Sequence, residues 1–163
     1  MSDRHEITEL LARYGQALEE RDGEALAELF APDGEFQIFS RYGRDDYVAH
    51  GADVIGRATI RAMMQNSSLP AGRGMHYLTT DHIVEITGDT ARMRAQFVVV
   101  ESNADARPEP DNGWPFGFNM VHGGLAITMI GRYDSHLVRT EDGWAFSLHQ
   151  VKHNLPMTLP PKK

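Results

Sequence analysis

The apolar period of this chain changes once, from three-to-four to two, and that change restricts the fold more than any other feature. In the first segment Ile7, Leu10, Leu11, Tyr14, Ala17 and Leu18 recur at spacings of three and four. Glu6, Glu9, Arg13, Gln16 and Glu20 fill the other faces. This pattern predicts an amphipathic helix, capped by Ser2 or Asp3 and ended at Asp22-Gly23. A shorter helix follows over 24–30 and stops at Pro32-Asp33-Gly34. Residues 36–39 read as a strand apolar on both faces, and residues 40–46 as a loop. A third helix is expected over about 57–67, closed by Pro70-Ala71-Gly72-Arg73-Gly74.

Beyond residue 75 the period is two. Residues 75–86 alternate up to the turn Thr87-Gly88-Asp89, and 90–101 reads as the antiparallel partner. The span 102–119 holds three of the eight prolines together with Trp114, Phe116 and Phe118. It reads as a long loop, of the kind that serves as a lid. Two more strands are expected over 121–140, with a bend near Gly131, and over 144–152; the hairpin turn Glu141-Asp142-Gly143 joins them. The tail 155–163 is proline-rich and reads as an extended arm. Helices first and an antiparallel meander after them make an α+β domain spanning 1–163, with its core over about 5–152. A curved sheet with helices on one face leaves room for a pocket between the layers.

A chain of 163 residues supports one core and not two. Its net charge of 16 − 23 = −7 speaks against a general nucleic-acid surface. No cysteine is present, which removes disulfides, thiolate nucleophiles and Cys-ligated metals. No pair of the eight histidines has tight ligand spacing such as His-Glu-x-x-His, so no metal is expected. Gly-x-Gly-x-x-Gly, Walker and Gly-x-Ser-x-Gly patterns are missing too, against a nucleotide cofactor or a serine nucleophile. The charged start, Met1-Ser2-Asp3-Arg4-His5-Glu6, is unlike an export signal. Phe97-Val98-Val99-Val100 falls far short of a membrane span. A cytoplasmic protein with neither membrane nor nucleic-acid partner is expected.

Several stretches in order carry a family likeness: Ile7-x-x-Leu10-x-x-x-Tyr14-x-x-Ala17-Leu18-x-x-Arg21-Asp22, then Leu29-Phe30-Ala31-Pro32-Asp33-Gly34, then Gly56-x-x-x-Ile60. His76-Tyr77-Leu78-Thr79-Thr80, Gly88-Asp89-Thr90-Ala91, Gly131-Arg132-Tyr133 and Asp142-Gly143-Trp144 complete the set. Together they resemble the SnoaL-like branch of the nuclear transport factor 2-like superfamily. The resemblance implies an α+β cone, a curved mixed or antiparallel sheet with N-terminal helices on its concave face. In the scytalone dehydratase, hexachlorocyclohexane dehydrochlorinase and bile acid dehydratase members, an acid near the end of the first helix pairs with a histidine that begins a strand. The resemblance places that acid on Glu19, one methylene longer than the family's aspartate, and the histidine on His76. The tyrosine of the bile acid enzyme falls on Tyr14. A second histidine of scytalone dehydratase falls near Glu101, and the aspartate base of ketosteroid isomerase near Ile38, so those parts are missing here.

An imidazole exchanges protons near neutral pH, and a carboxylate on its other nitrogen fixes the tautomer and stabilises the charged form. His76 and Glu19 supply those groups. Equally, His76 is one of eight histidines beside a solvated glutamate, and Tyr14 sits on the core stripe, about 140° round the helix from Glu19. The expected pocket residues are Ile38, Met64, Phe97, Trp114 and Phe116. The expected activity is that of a cofactor-independent lyase (dehydratase-type) or isomerase on a small hydrophobic cyclic or aromatic compound; cyclisation and carbon–carbon cleavage use similar parts. The alternative is a non-catalytic small-molecule binding module, or the subunit partner of a ring-hydroxylating dioxygenase. Strands apolar on both faces imply a homo-oligomer, with a dimer ahead of a trimer.

Overall fold

The computed structural model describes residues 2–43, 46–65, 67–104 and 124–157. Helix α1 (Asp3–Glu20) begins at Ser2, whose side chain accepts from the His5 N–H, and it buries the apolar stripe read from the sequence. It ends on Arg21 in the left-handed region, φ 58°, with the Arg21 N–H turned back on the Ala17 and Leu18 carbonyls. Asp22 then starts α2 (Gly23–Glu28): its Oδ1 accepts from the Glu24 and Ala25 N–H groups, each at 3.0 Å. Asp22→Ala leaves those donors unpaired and should cost about 1 kcal/mol. In a thermal melt that is a midpoint lower by roughly 2–4 °C for a domain of this size.

Two expectations need correction. Helix α2 ends at Glu28, and Phe30 already belongs to β1 (Phe30–Arg41), which runs through Pro32-Asp33-Gly34. The strand pairing is irregular between Phe30 and Glu35, which accommodates the proline. A whole strand, β2 (Tyr47–Ile55), follows where no element was expected. Gly51 at φ 73° and a register shift opposite Phe36/Ile38 break its alternation, so it carries no clean period. Helix α3 (Arg57–Gln65) then fills most of its expected span.

Strands β3 (Arg73–Thr87), β4 (Thr90–Asn103), β5 (Gly124–Thr140) and β6 (Gly143–His153) complete one curved sheet in the order β2-β1-β6-β5-β4-β3. Every neighbouring pair is antiparallel except β1–β6, which is parallel. The helices cover one face, as the α+β reading requires. Along β4 the residues Ala91, Met93, Ala95, Phe97 and Val99 are buried, and Arg92, Arg94 and Gln96 point outward. A bulge between Thr80 and Ile83 in β3, with Asp81 at φ 55°, reverses that strand's parity. Val84 therefore turns inward, and His82 does not share the face of His76, contrary to simple alternation.

Strand β5 passes Gly131 without a break. A Cβ there would meet the Lys152 carbonyl and, at 2.7 Å, the Phe97 ring, so close packing requires this glycine. The first residues of the expected long loop, 102 and 103, extend β4; Trp114, Phe116 and Phe118 lie outside the described residues. The start of the tail is tied down. The Asn154 N–H bonds the Ile130 carbonyl at 2.9 Å, and the Tyr42 hydroxyl donates to the Met157 carbonyl at 2.9 Å. Among the described residues no helix is long and apolar enough to cross a membrane.

Candidate functional site

A cavity of about 370 Å³ lies between α1, α3 and the inner face of the sheet. Helix α1 contributes Tyr14 and Leu18, and α3 contributes Met63 and Met64. From the sheet come Ile38, Met75, Tyr77, Phe97, Tyr133 and His153, among others. Tyr14, Ile38, Met64 and Phe97 all line this cavity, whereas Trp114 and Phe116 lie outside the described residues. A larger cavity of about 590 Å³ opens between α1, α2 and the β5–β6 turn, lined by Arg13, Glu20, Glu28 and Arg57. Its charged walls suit water better than an apolar compound, and we place the site in the smaller, apolar one.

Tyr14 meets the His149 ring at 4.4 Å and the Tyr133 ring edge-on at 5.6 Å. Burial pushes its hydroxyl well above the ordinary phenol pKa, so it stays protonated.

His76 and Glu19 also meet, but beside the cavity. Met75 and Tyr77 turn into the cavity, which leaves His76 on the other side of the strand with its side chain 52% exposed. Its Nδ1 stands 3.9 Å from Glu19 Oε2, within reach of an ion pair and too far for a hydrogen bond. Its Nε2 lies 3.3 Å from Ser102 Oγ. The other Glu19 oxygen accepts the Tyr77 N–H at 2.9 Å, which fixes the carboxylate against β3. Arg21, two residues beyond Glu19, lines the adjacent cavity wall and donates to Ser67 Oγ at 2.7 Å. The pair therefore sits at the cavity rim. Two other acids are engaged elsewhere: Asp22 caps α2, and Asp134 is held bidentate by Arg92 and also by Lys152.

The sequence reading passed over two buried histidines on β6. His149 is fully buried, with Ser135 Oγ 2.8 Å from its Nδ1 and no partner on Nε2. Burial among Tyr14, Tyr133 and Phe146 holds its pKa down at about 3. His153 lines the cavity, and burial, with His50 nearby, lowers its pKa to about 4. Strand parity was the available signal. Residues 149, 151 and 153 share one face, and the middle one is a valine.

Comparison with known proteins agrees with this architecture. The family model of the SnoaL-like domain matches residues 1–149. An NTF2-like protein with a cystatin-like fold from Novosphingobium aromaticivorans is similar at 28% identity and TM-score 0.67, over 93% of this chain and 81% of that one. ActVI-ORFA from Streptomyces coelicolor shares the fold at 18% identity and TM-score 0.67, over 91% and 95% of the two chains. So does a protein assigned as the beta subunit of an aromatic-ring-hydroxylating dioxygenase from N. aromaticivorans, at 15% identity and TM-score 0.66, over 93% and 88%. No curated protein matches the sequence.

Proposed function

The chain belongs to the SnoaL-like domain family, and from that membership we propose that it binds a small hydrophobic cyclic or aromatic compound and converts it without a cofactor. The reaction is a dehydratase-type elimination or an isomerisation. The observation that carries this reading is the 370 Å³ apolar cavity, with the phenol of Tyr14 and the imidazole of His153 among its walls. In this reading the compound reaches the rim beside Met75 and Tyr77, where His76 takes a proton next to an activating group. Glu19 orients the ring and stabilises the imidazolium, and Tyr14 donates to a departing or carbonyl oxygen. The test is a turnover screen against hydroxylated aromatic, steroid and polyketide-like compounds with no cofactor added. Conversion of one class that depends on His76 supports the proposal; ligand uptake with no conversion anywhere in the screen overturns the catalytic part.

A second reading is favoured by the outward position of His76. A half-exposed imidazole beside the cavity also fits a non-catalytic binding module, or a subunit that docks on a ring-hydroxylating partner. The fold shared with a dioxygenase beta subunit is compatible with it. Affinity without turnover is its signature.

Assembly belongs to the same proposal. On the outer sheet face Leu78, Val98 and Ile130 stand in one row across three strands, and Val100 with Ile127 in the next. Ile127 is 73% exposed and Leu78 58%. A contiguous apolar face of this kind calls for cover by a second copy. We expect a homodimer in preference to a trimer, seen by light scattering at micromolar concentration. A monomer mass would defeat the expectation.

A further inference from the structure

We infer that His153 is the group inside the cavity that recognises the polar atom of the bound compound, so that the site selects a neutral, hydroxyl-bearing ring over the bare hydrocarbon. The inference rests on the apolar cavity being the ligand site, as proposed above, and adds what that site reads.

His153 ends β6, in register with Ser40 of β1 on one side and Gly131 of β5 on the other. Because Gly131 has no side chain, the Phe97 ring lies across that position and meets the imidazole edge-on at 5.4 Å. On the β1–β2 side are Ser40 and His50, both buried, with Ser40 Oγ 2.5 Å from His50 Nε2. That pair occupies its own nitrogen and hydroxyl and leaves the His153 ring to the cavity. Among the described residues the ring of His153 makes no hydrogen bond, although only 6% of the residue is exposed. It borders both the main cavity and a smaller one of about 200 Å³ beneath residues 155–157.

A hydrogen bond to a ring in an apolar wall is worth more than the same bond in water, so a ligand group that can make it gains over one that cannot. With its pKa held low by burial, the ring is a neutral imidazole, one N–H donor and one lone pair. A hydroxyl matches either nitrogen. A cation does not, since the neutral ring carries no charge to offset its lost hydration. Next to His153, the walls Ile38, Phe97 and Val151 offer only apolar contact, while Arg21 and Ser67 belong to the part of the lining near the end of α1 and Tyr14 to the α1 wall. A site without a polar reader would favour the bare hydrocarbon, because the hydroxyl has to leave water.

Titration of the full chain with 2-naphthol and with naphthalene, followed by probe fluorescence, tests this. The unaltered protein should bind 2-naphthol roughly 3- to 10-fold more tightly than naphthalene, the worth of one buried hydrogen bond. In His153→Leu that ratio should fall to one or below while naphthalene affinity holds; His153→Gln, which keeps a donor and an acceptor, should restore part of it. A preference that survives in His153→Leu overturns the inference. So does equal binding of the two probes by the unaltered protein, with the cavity proposal left standing. Failure of both probes to bind removes the cavity proposal and this inference together. Should His153→Leu not fold, long-range proton–nitrogen spectra of the unaltered protein decide: the His153 ring resonances should move with 2-naphthol and stay with naphthalene, and no response to 2-naphthol overturns the inference.

Discussion

The midpoint of unfolding should fall steeply as the pH drops below about 6.5, because burial sets the pKa of His149 at about 3 and that of His153 at about 4. Above the ordinary histidine value of 6.5 both rings are neutral in the folded and the unfolded chain, so neither makes stability depend on pH. Below it the unfolded chain takes up two protons that the native fold refuses. Each such proton lowers stability by about 1.4 kcal/mol per pH unit. The loss therefore begins near pH 6.5, runs at roughly twice that slope to about pH 4, and continues through His149 alone to about pH 3. Asp134, whose carboxyl Arg92 holds at about 2, adds to the loss only below its ordinary value of 3.8. Urea unfolding between neutral pH and pH 5 checks this, and His149→Phe should halve the slope whatever it does to stability at neutral pH. Stability that stays flat over that interval would mean that the two rings are not held in an apolar interior.

His76→Ala should lower turnover by about 10²–10⁴-fold, the usual contribution of a positioned acid or base. The fold should be left intact, since the polar contacts of the half-exposed ring among the described residues are to Glu19 and Ser102, and surface changes of this kind stay within about 0.5 kcal/mol. Glu19→Gln keeps an oxygen for the Tyr77 N–H and removes the charge that the imidazolium needs. It should therefore reduce kcat more than it weakens binding. Unchanged turnover in His76→Ala would end the mechanism built on His76 and Glu19 and would leave the cavity and its His153 contact untouched.

How much of this was legible in advance follows from where periodicity survives. Helix α1 and strand β4 are clean repeats, and their buried residues were readable one by one. Strand β2 was not, because Gly51 and the shift opposite Phe36/Ile38 break the alternation that marks a strand. The reversed parity beyond Thr80 was hidden for a similar reason: an aspartate in the left-handed region looks like any other polar strand residue until the backbone is seen. At the site, Tyr14, Ile38, Met64 and Phe97 came from an apolar pattern and a family likeness, and all four line the cavity. The meeting of His76 with Glu19 came from the likeness alone. That His76 faces away from the cavity depends on which residues of β3 turn inward, and Met75, His76 and Tyr77 are all sizeable enough to do so. His153 was given no place in the pocket because the expected strand stops at 152, one residue short of it, whereas β6 runs to His153.

The contact between Glu19 and the Tyr77 N–H has a consequence that does not depend on catalysis. Strand β3 ends the sheet, and a terminal strand offers its unpaired N–H groups to any extended segment that drifts past. The Glu19 carboxylate occupies one of those rungs, and the turn at Asp81 bends the strand midway, so no long straight ladder is left for a foreign strand to join. An acid here blocks one rung of that edge whether or not it serves the imidazole beside it. A carboxylate at the end of α1 thus has structural work at the sheet edge, independent of the histidine beside it.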